Sequence, residues 1–223
     1  MPENKRFLPL MVDLHGRTVV IFGGGSVGER KAELFSEYGN TVVISRNFSH
    51  RLSELHDQKL ATLIRADAGT LSDDDIKEII EDAFLVIPAT SNRQINDRIT
   101  TIARSLKILT NQVDTIGEIT IPAVIHRGDL VIGISTTGSS PAFSRYVRQN
   151  IEKVITPEYE QMILLQNDIR TYLKEHVKEQ KMRKTILWEV LEDPMVWKDI
   201  SESYEKAYKR AYVIVQKQIN KKD

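Results

Sequence analysis

Gly23, Gly25 and Gly28 stand in "VVIFGGGSVGERKAELF", between a β-branched run and a segment of helical pattern. In that context a G-x-G-x-x-G spacing suits a dinucleotide. Gly23 permits the tight turn, Gly25 lets the backbone approach a pyrophosphate, and Gly28 lets the helix pack closely on the strand. The phosphates would rest on the backbone amides of Ser26 and Val27, at a helix N-terminus whose dipole favours negative charge. The next strand ends in "VVISRNF", which has no Asp or Glu for the ribose 2′-hydroxyl and offers Ser45, Arg46 and Asn47 instead. Arg46 could receive a 2′-phosphate or point into solvent, so these residues leave NAD and NADP equally open.

A glycine loop does not specify a reaction. Hydride transfer needs a substrate cleft, and in this kind of fold the cleft lies outside the carboxyl ends of the strands. "IPATSNR" at 87–93 and "LTNQVD" at 109–114 end the strands that reach that edge, and Asp114 is the carboxylate best placed to serve as general acid or base. Its alternative role is that of a turn former or helix cap. "STTGSSP" at 135–141 clusters hydroxyls and amides before a helix start, which suits a carboxylate or phosphate guest, although capping explains Ser140 equally well. His126 stands alone, and His15, His50, His56 and His176 show no metal-ligand spacing, so no metal site is expected.

These groups must be positioned by an α/β scaffold. Apolar β-prone runs at 18–22, 41–45, 84–89 and 107–110 alternate with helical patterns at 27–38, 73–81 and 92–105, which predicts βαβ units and a Rossmann-like parallel sheet. Gly39 stands where a helix C-cap is expected, and Ser72 precedes an acidic run suited to a helix N-terminus. From residue 116 the pattern becomes two β-prone runs around Arg127-Gly128-Asp129, a hairpin. Ser140 and Pro141 then open a helix as N-cap and N1. Met162, Leu165, Ile169, Tyr172 and Leu173 recur at helical spacing, as do Tyr204, Tyr208, Ala211, Tyr212, Val215 and Ile219, marking an all-helical tail whose aromatic stripes read as core or subunit contact. All eleven glycines lie at or before Gly138, which puts a composition boundary near 141–150. The expected division is a dinucleotide-binding domain over 1–113, a hairpin and substrate region over 114–149, and a helical domain over 150–223.

Composition narrows the classes of function. The 223 residues are 41% hydrophobic and 28% charged, with 31 basic residues balancing 31 acidic ones, so no global field favours nucleic acid or an anionic membrane. The absence of cysteine excludes disulfides, thiolate metal sites and a cysteine nucleophile. No stretch approaches the roughly 20 apolar residues of a membrane span, and the first residues do not read as a signal peptide, so a cytoplasmic location is expected.

The segments "FLPLMVDLHGRTVVIFGGGSVGERKAELF", "LTNQVD" and "IPAVIHRGDLVIGISTTGSSPAFSRYVRQNIE" resemble the precorrin-2 dehydrogenase family, the dehydrogenase module of sirohaem synthase. The resemblance is clear from Phe7 to about Ile155 and extends into the tail by character only. It implies NAD-dependent oxidation of precorrin-2 to sirohydrochlorin, with ferrous-iron insertion in some members. It implies that Asp114 is catalytic, and that the cofactor contacts fall on Ser26, Val27, Asn47 and Phe48. It sets the hydroxyl cluster in a substrate-side loop, with Thr136, Ser139 and Arg145 as substrate-binding candidates. Arg93, Arg98, Arg127 and Arg148 lie in segments that could also pair with substrate carboxylates. Family members are homodimers.

Two other readings compete. A regulatory module that senses NAD without catalysis accounts equally well for the first 110 residues, but such modules usually carry the acid after strand two and continue into a β-rich ligand domain. A dehydrogenase of small hydroxy acids would need a lysine or histidine beside the carbonyl in a larger substrate domain, and no such constellation stands out.

Overall fold

The β-branched runs form a sheet with helices on both faces, because successive strand side chains alternate in direction and both directions are apolar. In β1 (Thr18–Phe22), Val19 and Ile21 enter one buried cluster and Val20 and Phe22 the other. The first cluster receives Ala32 and Phe35 of α1 (Ser26–Ser36), and Leu52 and Leu55 of α2 (His50–Asp57). It also takes Val43 of β2 (Asn40–Ser45). The second cluster receives Ile76 and Ile80 of α3 (Asp73–Ile80), and Ile99, Ile102 and Ala103 of α4 (Arg93–Ser105). A Val, Leu, Ile or Phe side chain wholly buried in this way contributes about 1.5–3 kcal/mol.

The computed structural model describes residues 7–112 and 117–220. With β3 (Ala61–Arg65), β4 (Ala83–Pro88) and β5 (Leu109–Thr110), the parallel sheet has the order β3-β2-β1-β4-β5. The strand order therefore reverses between β1 and β4, where this class of sheet opens a crevice. The sheet belongs to one of two compact units, formed by the chain up to Ile121 with Thr137–Ser139; the other comprises Pro122–Thr136 and the chain from Ser140 onward.

Ser72 caps α3 in a reciprocal capping box with Asp75. Three details differ from the sequence reading. Gly39 is not a left-handed cap: its φ is not positive, and a Cβ there would stand 2.7 Å from the Leu14 carbonyl oxygen and 2.8 Å from that of Arg17. The expected strand at 107–110 is shortened to Leu109–Thr110, because Lys107 turns left-handed at φ 60°. The helix α2 and the strand β3 lie in a stretch where no element is expected.

In the second unit, β6 (Ala123–Arg127) and β7 (Leu130–Ile134) form the hairpin. Its turn carries Gly128 at φ 57°, the positive first position of a type II′ turn. Ser140 and Pro141 open α5 (Pro141–Glu152) as expected. Four helices follow: α6 (Glu158–His176), α7 (Gln180–Glu192), α8 (Pro194–Glu202) and α9 (Tyr204–Asn220). Met162, Leu165, Ile169 and Leu173 of α6 meet Ile186, Val190, Val196, Ile200, Ala207, Ala211 and Val215 in one core. Tyr172, Tyr204 and Tyr208 of the tyrosine stripe pack on this core, Tyr204 donating to Asp168 Oδ2 at 2.5 Å, while exposed Tyr212 meets Tyr172 edge-on. Among the described residues, no helix is long and apolar enough to cross a membrane.

Among the described residues, Lys31 on α1 is the lysine whose acidity is strongly altered; burial, and secondarily the neighbouring Arg30 charge, lower its pKa from 10.5 to about 8. A base depressed on folding costs stability wherever both states are protonated, and that cost fades as pH rises from about 8 to 10.5. Lys31→Met is therefore expected to exceed the parent in stability at pH 7, the difference shrinking as the pH rises through that window. Urea unfolding across pH checks it, and a pH-independent difference would contradict it.

Candidate functional site

The turn from β1 into α1 is closed by backbone contact. A Cβ on Gly28 would stand 1.8 Å from the Gly23 carbonyl oxygen, and one on Gly23, whose φ is 119°, 2.3 Å from the Ala89 carbonyl oxygen. A Cβ on Gly24 would stand 2.5 Å from the Asn47 carbonyl oxygen. The loop is thus wedged between the ends of β2 and β4, and Gly23 N–H and Ala89 N–H continue the ladder to Ile44 and Phe22.

Gly25 behaves differently. It is the N-cap of α1 in extended conformation, and a Cβ there would meet nothing within 4 Å. No side chain caps this helix end, whereas Ser49, Ser72, Asn92 and Ser140 cap theirs. The first-turn amides of α1 are left facing open space beside a bare glycine, the arrangement an anion requires. Gly25 and Ser26 are exposed and Val27 is half-buried. This cradle fits a dinucleotide pyrophosphate on the structure's own terms.

Asn47 and Phe48, the expected cofactor contacts, follow β2. Asn47 is exposed, and Phe48 is half-buried against the α1–α2 core with the Arg65 guanidinium 5.6 Å from its ring centroid. Arg46 forms an ion pair with Asp67 at 3.7 Å. On the other side of the crevice, the loop after β4 is held by Asn96: its Oδ1 accepts from the Thr90 amide and hydroxyl, and its Nδ2 donates to the Thr90 carbonyl. Sequence reasoning missed both Asp67 and Asn96. A helical asparagine eight residues past a strand carries no distinctive pattern, and Asp67 reaches β2 only through the pairing of β2 with β3.

Asp114 lies outside the described residues. On either side of it the chain is anchored: Asn111, buried at the end of β5, donates through Nδ2 to the Ile119 carbonyl at 3.0 Å, and Gln112 donates to the Thr100 hydroxyl at 3.1 Å.

The hydroxyl cluster turns inward on itself. Thr136 Oγ1 donates to the Ser140 carbonyl and accepts from the Ser140 amide, each at 3.0 Å, and Ser144 Oγ donates to it at 3.2 Å. Thr137 and Gly138 are both left-handed, at φ 50° and 86°, a costly conformation for a β-branched residue. Ser139 is exposed. Arg145 on α5 is exposed and has no ion pair or hydrogen-bond partner among the described residues. The other arginines are engaged: Arg98 with Asp73 and the Leu71 carbonyl, Arg127 with the Ile155 carbonyl, Arg148 with Glu152, and Arg93 with Asp97. Among the described residues, no group of three or more His, Asp and Glu is placed to hold a metal ion.

The glycines divide into two kinds, which substitution separates. Gly28→Ala is expected to destabilise the fold by about 1–3 kcal/mol through overpacking. Gly25→Ala is expected to cost under about 1 kcal/mol of stability and yet to weaken dinucleotide binding at least tenfold. Thermal unfolding with calorimetric NAD titration checks both, and equal losses of stability would contradict the distinction.

Comparison with known proteins agrees with this anatomy. Residues 10–123 match a family model described as "Putative NAD(P)-binding", and residues 127–153 match one described as "Sirohaem biosynthesis protein central". A precorrin-2 dehydrogenase of Methanosarcina barkeri is 58% identical over 215 residues, which cover 96% of each chain. A sirohaem synthase of Nitrosospira multiformis is 32% identical over 192 residues, 84% of this chain and 40% of that longer one. A solved structure named SirC, precorrin-2 dehydrogenase, superposes with a TM-score of 0.71 at 22% identity over 96% of this chain and all of that one, a likeness of fold. With more than half its residues matched to a relative over nearly the full length of both, this chain belongs to the precorrin-2 dehydrogenase family.

Proposed function

We propose that this protein oxidises precorrin-2 to sirohydrochlorin with NAD as acceptor, in the route to sirohaem. The observation that carries the reading is the bare N-terminus of α1 behind Gly25, set at the β1/β4 reversal of the sheet in a chain of this family. When bound, NAD supplies a two-electron acceptor for hydride.

The chain's own part is to bind, orient and move a proton. The amides of Ser26 and Val27 hold the pyrophosphate, with Gly23, Gly25 and Gly28 giving the backbone its close approach. Asn47 and Phe48 flank the adenosine side. Asp114 is the proposed base: loss of a hydride and a proton from the reduced macrocycle leaves one further double bond, and the proton goes to its carboxylate. Arg145, with no partner among the described residues, is suited to a substrate carboxylate, and Ser139 is exposed in the segment that precedes α5. Thr136 acts on the same side by holding the loop through its bonds to Ser140 and Ser144.

The protein works as a cytoplasmic homodimer in this reading. Phe143, Tyr146 and Val154 in and after α5 are 56%, 62% and 65% exposed, a patch suited to a second copy. Tyr172, Tyr204 and Tyr208 pack against the helical core and are less suited to that role, whereas Tyr212 is exposed.

Anaerobic turnover of enzymatically generated precorrin-2 with NAD tests the reaction, followed by its spectrum. Sirohydrochlorin is the expected product, and Asp114→Ala is expected to lower kcat by about 10²-fold or more with NAD affinity retained. Tight NAD binding with no oxidation would contradict the reading and leave the sensor function standing.

A further inference from the structure

In this fold the residue after β2 reads the 2′ position of the adenosine ribose: an acid there favours NAD, and an arginine accommodates the 2′-phosphate of NADP. This chain presents Arg46 at that place, yet the arginine is not alone. Parallel pairing sets Ser45 of β2 beside Arg65 of β3, and the Ala66 amide donates to the Ser45 carbonyl. Asp67, two residues past β3, thereby comes to within 3.7 Å of the Arg46 guanidinium.

The carboxylate holds its place independently of Arg46. Asp67 Oδ1 accepts the Gly69 amide at 2.9 Å, and the Asp67 carbonyl accepts from the Thr70 amide and hydroxyl, so the residue opens its own tight turn. Arg46 by contrast is a long side chain, 71% exposed, whose ion pair is with that preset carboxylate. A further cation, Arg65, donates to the Arg46 carbonyl at 3.0 Å and lies over Phe48, fixing the backbone on which Arg46 stands.

On the reading that the glycine loop binds a dinucleotide, we propose that Asp67 is the specificity-determining residue of this site. It supplies from β3 the negative charge that β2 lacks, occupies the arginine that would otherwise take a 2′-phosphate, and repels that phosphate directly, so the chain selects NAD over NADP. A doubly charged phosphate brought beside a fixed carboxylate meets repulsion, whereas a 2′-hydroxyl finds an acceptor. The pair's exposure limits its worth to stability but not to selection, because selection depends only on the difference between two ligands.

Calorimetric titration of the full chain with NAD and with NADP is the test, on the parent, Asp67→Asn, Asp67→Ser and Asp67→Asn combined with Arg46→Gln. The parent is expected to bind NAD at least tenfold more tightly. Either substitution at Asp67 is expected to reduce that preference by about tenfold, through tighter NADP binding, and the added Arg46→Gln to abolish the NADP gain. If both dinucleotides bind and the preference is unaltered in both Asp67 variants, or if the parent prefers NADP, the proposal is overturned while the dinucleotide reading stands. If the parent binds neither dinucleotide, both are overturned.

Discussion

The structure depends on one close approach, that of Gly28 to the carbonyl oxygen of Gly23, where even a methyl group would stand at 1.8 Å. That contact turns the chain from β1 into α1 across only Gly23, Gly24 and Gly25. It aims the open end of the helix over the carboxyl edge of the sheet, at the strand pair where the order reverses. The second contact, Gly23 against Ala89, ties the same turn to β4 and so brings the loop after β4 to the crevice. Hydrophobic alternation in β1 holds helices on both faces, but only the glycines decide where the helix starts.

The second unit is built on a different principle. Its helices bury a stripe of aliphatic residues at intervals of three and four, and aromatic residues close the edges of that core. The Trp197 indole N–H donates to the Leu191 carbonyl at 2.7 Å, and Asp199, buried, pairs with Arg210. Polar groups there are satisfied within the helical core. The regular backbone is broken instead between the hairpin and α5, where Thr137 and Gly138 are left-handed.

Much of this was legible because local and tertiary signals agree. Around α3, an apolar period, an N-cap serine and an acidic first turn point the same way, and its capping box forms. The strand β3 was not legible: its apolar Leu63 and Ile64 are adjacent and so do not alternate, and within Ala61–Arg65 only Ala61 is buried. Missing β3 hid Asp67, since a carboxylate some twenty residues from Arg46 in sequence becomes its neighbour only through strand register. Gly39 was legible as a constraint but not as to its cause, which is backbone crowding by Leu14 and Arg17 and not handedness. The tyrosine stripe could be read as core or interface from periodicity alone, and the structure packs Tyr172, Tyr204 and Tyr208 against the helical core while Tyr212 is exposed.

The central claim is that backbone amides at the open start of α1, more than any side chain, hold the dinucleotide. Hydrogen–deuterium exchange measured with and without NAD addresses those amides directly, since unbonded first-turn amides exchange quickly until something accepts their hydrogen bonds. The account predicts marked slowing at Ser26 and Val27 on addition of NAD, with little change across α6 to α9. Unchanged exchange at those amides under saturating NAD would contradict it.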